Sequence, residues 1–121
     1  MQFKPAIPIF RSFDEAKARA HYVEYLGFSW DGNHRFDETA QLYAFLTLGD
    51  FKLHLSEHYG DATPGSNAIA EVSDINEFHD SLTAKTYAFA NPHIEILPWA
   101  KQIQIADPFG NRIRFIEPTS F

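Results

Sequence analysis

Polar and apolar side chains alternate most clearly over residues 98–117, P-W-A-K-Q-I-Q-I-A-D-P-F-G-N-R-I-R-F-I-E. Ile103 and Ile105 alternate with Gln102 and Gln104, and Ile113 and Phe115 with Arg112 and Arg114. Period-two patterning of this kind predicts two half-buried strands, since successive strand side chains point to opposite faces. Asp107-Pro108-Phe109-Gly110-Asn111 joins them as a tight turn, with Pro108 preset for its second position and Gly110 supplying a positive φ. Turn chemistry accounts for those residues without any function. Further strands are predicted at 5–11, 28–35, 41–48, 51–57, 67–72 and, weakly, 86–90. Pro5 and Pro8 lack backbone donors, which places the first strand at an edge or at a dimer seam.

Two stretches carry helical spacing instead. Ser12-Phe13-Asp14-Glu15 predicts a capping box, with Ser12 at the cap and Glu15 reaching back. The helix runs to about Tyr25, with Phe13, Ala16, Ala20 and Val23 as its buried stripe and Lys17, Arg19 and Glu24 facing water. Gly27 closes it. Asp74 and Glu77 cap a second helix, with Ile75, Phe78 and Leu82 on one face. The chain therefore reads β-α-β-β-β twice, as an internal repeat of about 60 residues. The first unit covers about 5–57 and the second about 66–117 of a single domain, with 58–66 as a linker. The predicted class is α+β, two curved half-barrels side by side with a concave surface where a small ligand binds.

Composition narrows the function. The chain has 121 residues and 45% hydrophobic positions, enough for a core without staples. There is no Cys, so disulfides, thiolate metal sites and thiol nucleophiles are excluded. The net charge of −6 argues against nucleic acid and anionic membrane as partners and suits a cationic ligand. No apolar run approaches about 18 residues, and Met1-Gln2-Phe3-Lys4-Pro5 has no signal-peptide pattern, so a cytoplasmic location is expected. The 12 Phe among 16% aromatic residues suffice for a core and for the walls of a cleft.

Three stretches, Pro8–Phe28, Phe51–Gly60 and Pro98–Glu117, resemble the vicinal-oxygen-chelate superfamily, and within it the glyoxalase/bleomycin-resistance group. The helix ending in L-G-F and the late D-P-x-G-N-x-I-x-F pattern carry the resemblance in combination. It covers nearly the whole chain and implies the fold read above. Metal-dependent members place His or Glu at four cleft-facing strand positions, which fall here on Ile7, His54, Asn67 and Arg114. Only His54 is a ligand type, whereas a divalent ion needs at least three protein ligands. The resemblance therefore implies no metal or other cofactor, and no Lewis-acid catalysis of the usual superfamily kind. Bleomycin-resistance proteins share this loss. As the resemblance implies, they are homodimers that sequester a cationic drug in interface clefts, and a Trp in P-W-G stacks on its planar bithiazole. Pro98-Trp99-Ala100 stands at the matching place. The loop at 31–38, with His34 and Arg35, departs from their acidic and aromatic pattern.

Each candidate side chain has a structural alternative. Trp99 is a stacking platform or a packing residue. His54 contacts ligand, acts as a base, or is a hydrogen-bonded strand histidine. Arg114 binds a carboxylate or phosphate, or pairs with Glu71. Tyr43 and Phe45 share a face that lines cleft or core, and Phe36 is the loop aromatic placed to close over a ligand. Arg112 and Glu117 are expected in solvent. Asn67 offers a further polar contact. The leading expectation is a non-catalytic binder of the bleomycin class. The alternative is a metal-dependent lyase, isomerase or dioxygenase whose metal sits on rearranged His34, His54 and His58.

Overall fold

Alternation becomes two sheets because each strand has one face to bury and one to leave open. The computed structural model describes residues 1–35, 37, 40–85, 87 and 91–119. The first sheet contains β1 (Ile9–Arg11), β2 (Ser29–His34), β3 (Tyr43–Leu48) and β4 (Phe51–Ser56), in the order β1-β4-β3-β2. The second contains β5 (Asn67–Glu71), β6 (Glu95–Ile96), β7 (Ala100–Ala106) and β8 (Arg112–Pro118), in the order β5-β8-β7-β6. In both, the first strand pairs parallel with the last and the rest are antiparallel. This is the expected α+β architecture of two β-α-β-β-β units forming curved half-barrels.

The inward faces make one continuous core. Ala44, Leu46, Leu53 and Leu55 from the first sheet join Ile103, Ile105, Ile113 and Phe115 from the second, together with Phe10, Tyr22 and Phe28. Truncating any of the buried leucines to Ala costs about 2–5 kcal/mol, since the cavity adds to the lost transfer energy. The two units are also tied by polar contacts. Tyr22 donates its hydroxyl to Asp107, and Asn111 Nδ2 donates to the Arg11 carbonyl at 2.7 Å.

Several sequence expectations need correction. The first strand is only Ile9–Arg11, because Pro5 and Pro8 cannot donate to a ladder, although the Pro8 carbonyl accepts from His54 N. The first helix is capped by Asp14, not Ser12. Asp14 accepts from Lys17 N at 2.9 Å, while Ser12 extends the strand by donating to the Ser56 carbonyl. Glu15 pairs with Arg19 and Arg35 instead of reaching back, and the Arg19 hydrogen bond leads in lowering its pKa. The helix α1 (Glu15–Ala18) passes directly into a π-helical segment, Arg19–Tyr25. The buried stripe is Ala18, His21, Tyr22 and Tyr25, while Phe13, which precedes the Asp14 cap, and Ala16 are exposed. Gly27 ends the segment as expected, at φ 91°.

In the second unit, α2 (Ile75–Thr83) is capped by Asp74, which accepts from Glu77 N at 3.0 Å. Its Ile75 and Leu82 are buried, and Phe78 packs against Phe115. The weak strand expected at 86–90 falls, apart from Tyr87, outside the described residues. Instead the fourth strand of this sheet is the short Glu95–Ile96. Glu117, expected in solvent, accepts from Ile75 N at 2.8 Å and anchors the start of α2. The final turn forms as predicted, with Gly110 at φ 92°. Asp107 fills it, accepting from the Phe109 and Asn111 backbone N–H groups and from Asn111 Nδ2.

Candidate functional site

The outward face of the first sheet is aromatic. Leu53 and Leu55 point to the core, so strand alternation turns His54 outward, beside Ile9 on β1 and Phe45 on β3. Tyr43 and Phe45 lie on this face and not in the core; Phe45 keeps 38% of its surface exposed. The His54 imidazole stands edge-on to both rings, at 5.3 Å from Tyr43 and 5.0 Å from Phe45. Tyr43 Oη and His54 Nδ1 share a 2.8 Å hydrogen bond whose direction follows the imidazole tautomer. Partial burial, helped by Lys52, lowers the His54 pKa, so the ring is neutral at pH 7. Burial first, and then Asp61, raises that of Tyr43, so the phenol keeps its proton. The pair can hydrogen-bond a ligand and stack on it without introducing charge.

The outward face of the second sheet is polar. Asn67, Ile69 and Glu71 of β5 lie beside Arg112, Arg114 and Ile116 of β8, and Gln104 beside Arg114. Glu95 accepts from Gln102 and Gln104, and Arg112 donates to Gln104 Oε1 at 3.2 Å. Glu71 makes no ion pair with Arg114 among the described residues. Between the sheets lies a groove of about 1160 Å³, walled by Lys4–Pro8, by Asp50–Lys52 and by Ala68–Glu71.

Trp99 leads into β7 with 55% of its surface exposed, so it is not a core residue of this chain. It carries an open indole face just off the end of the β7–β8 ladder, where its carbonyl accepts from Thr119 N. Phe36 lies outside the described residues. His34 pairs in register with Tyr43 at the end of β2, and His58 follows β4, its backbone N–H donating to Ser56 Oγ. Among the described residues no three His, Asp or Glu side chains come together as a metal-binding set. At the four positions that the family resemblance assigns to metal, Ile7 has no lone pair and Arg114 is a cation, which leaves His54, oriented through Nδ1 by Tyr43, and the Asn67 amide, fewer donors than an ion needs.

Sequence reasoning missed Asp31 and Asp61. Asp31 accepts from Ser29 and Thr47 on β2 and β3, and Asp61 accepts from Ser56 Oγ at 2.6 Å beside Tyr43. Asp31 lies at the bulge inside β2 and Asp61 in the loop after β4, and strand alternation alone marks neither position.

A family model described as a glyoxalase superfamily protein matches residues 1–120, and the chain belongs to that family. Among solved structures, a glyoxalase/bleomycin resistance protein from Streptomyces sp. CB03234 is 23% identical, with TM-score 0.71 over 94% of this chain and 100% of that one. A bleomycin-binding protein complexed with bleomycin is also 23% identical, with TM-score 0.66 over 95% and 98%. TnmS3, an antibiotic binding protein from Streptomyces sp. CB03234, has 23% identity and TM-score 0.71 over 98% and 100%. At such identities the likeness shows the fold. No curated protein sequence matches the chain.

Proposed function

We propose that this protein binds and sequesters a planar small molecule of the bleomycin class, without breaking a bond, in a cleft completed by a second copy of the chain. The carrying observation is the aromatic outward face of Tyr43, Phe45 and His54, a neutral surface of three rings set at angles to one another on adjacent strands. Trp99 supplies a further exposed stacking ring, and Asn67 and Arg114 supply polar contacts. The net charge of −6 draws cations at long range and disfavours nucleic acid and anionic membranes as partners. No described helix is long and apolar enough to cross a membrane, and a cytoplasmic location belongs to the same proposal. Two structural neighbours, by their names, bind bleomycin or an antibiotic. The alternative, a metal-dependent lyase, isomerase or dioxygenase, lacks a matching donor set at the family positions.

The test is calorimetric titration with metal-free and copper-loaded bleomycin, using the wild type and a Trp99→Ala variant. The expected result is saturable binding that the variant weakens by about 1–2 kcal/mol, the scale of a stacked ring. Absence of heat with both drug forms would remove bleomycin as the ligand. Stoichiometric zinc, nickel or iron on protein purified without a His tag would overturn the non-catalytic reading in favour of the enzyme.

A further inference from the structure

Four of the five arginines are committed to partners within the chain. Arg112, Gln104, Gln102 and Glu95 form one connected chain of hydrogen bonds. Arg35 is held by Glu15 and Glu57, and Arg19 by Glu15 and the Trp30 ring. Arg11 lies over Phe13 and donates to the Ala62 carbonyl. Asp107, beside a cavity of about 370 Å³ near Lys17 and Tyr87, is filled by the donors of its own turn and by Tyr22.

Arg114 is the exception. It stands in the middle of β8, between Ile69 on β5 and Gln104 on β7. Its guanidinium makes no ion pair, hydrogen bond or ring contact with any described residue. Its Nε is buried and donates to no acceptor among them. An arginine cannot shed its charge, so a half-buried guanidinium without an acceptor is a destabilising arrangement that an arriving anion relieves. Asn67 lies on the same face, two residue pairs along the ladder, and its exposed amide is also uncommitted among the described residues. Arg114, Asn67, Ala68 and Ile69 line one open cavity of about 380 Å³.

We infer that the ligand presents a carboxylate to Arg114 and Asn67. A guanidinium fork offers two parallel N–H donors to a planar carboxylate, the Asn67 amide adds a third, and Ile69 packs on the apolar stem behind it. One guanidinium balances one negative charge. A dianionic phosphate would keep an unbalanced charge within a chain of net charge −6. The overall field therefore favours cations while this cavity selects an anionic group. The ligand is a flat body with a carboxylate at the end that meets the second sheet. This inference rests on the planar-ligand reading above and specifies one end of that ligand.

The probes are naphthoate, its uncharged isostere naphthamide, and naphthyl phosphate, titrated by calorimetry into the full chain. Naphthoate is expected to bind at least about tenfold tighter than naphthamide, the scale of a charge-assisted pair. Arg114→Gln should erase that difference without lowering the melting temperature, because no described contact is lost and an unpaired buried donor is removed. Arg114→Lys should recover only part of it, since a point charge lacks the fork. A proton-nitrogen NMR spectrum should show the Arg114 Nε–H resonance moving with naphthoate and not with naphthamide. Equal affinity for naphthoate and naphthamide, or an Arg114→Gln variant with undiminished preference, would overturn the carboxylate. If both compounds then still bind and Trp99→Ala weakens both, the planar-ligand reading survives alone. Tighter binding of naphthyl phosphate than of naphthoate would also overturn the assignment, in favour of phosphate.

Discussion

His21 is 1% exposed and surrounded by the rings of Tyr22, Tyr25 and Tyr87, with Nδ1 at 3.3 Å from the Tyr87 hydroxyl. Burial penalises the imidazolium and pushes its pKa from 6.5 down to about 4. Between those values the unfolded chain binds a proton that the folded chain refuses, so stability falls as the solution becomes more acid. The contribution is complete above about pH 6.5 and is lost as pH falls through about 4. It amounts to roughly 3 kcal/mol in total. Urea unfolding at pH 7.5, 5.5 and 4.5 should show the stability advantage of wild type over His21→Gln shrinking by about that amount. Parallel pH profiles for the two proteins would mean that the imidazole is solvated.

Strands were more legible in the sequence than helices. Alternation identifies Leu53 and Leu55 as inward and His54 as outward without any knowledge of neighbours, because a strand has only two faces. The first helix defeated the same logic. A 3.6-residue period fits Phe13 and Ala16 as well as Ala18, Tyr22 and Tyr25, and it is the latter set that goes inside, with Phe13 left ahead of the Asp14 cap. The Glu117 bond to Ile75 N spans 42 residues and leaves no local pattern. At the candidate site, the sequence placed His54, Asn67 and Arg114 on outward faces but could not show that Arg114 lacks a partner. The D-P-F-G-N turn was legible as a turn, and the structure adds its load. Asp107 accepts four hydrogen bonds there, so Asp107→Ala should cost about 3 kcal/mol or more by leaving Tyr22 and Asn111 unpaired. Urea midpoints would measure this, and a loss below about 1 kcal/mol would show that water replaces the carboxylate.

For the whole molecule, the open question is how the groove between the sheets is covered. Phe3 is 91% exposed, Ile7 39% and Ile69 64%, and the last two line that groove with the unpaired edge of β5. The proposed dimer buries this apolar surface. Sedimentation should then give twice the 13.9 kDa chain mass, and deletion of residues 1–6 should return the protein to one chain mass. A full-length protein that sediments as a single chain at micromolar concentration would remove the shared cleft from the proposal.

The bond from Asn111 to the Arg11 carbonyl joins positions 100 residues apart, and the one from Tyr22 to Asp107 joins positions 85 apart. During synthesis at about 5–20 residues per second, Asn111 is added about 5–20 s after Arg11. Once β4 is made the first sheet has its strands but not the lock on its edge, and until Asp107 is added the Tyr22 hydroxyl lacks the carboxylate that it meets in the folded chain. The final turn is thus made long after the strand that it closes. A nascent chain stalled anywhere short of it exposes its first half to chaperones and proteases, and a frameshift just ahead of codon 107 harms the start of the fold as much as the turn itself.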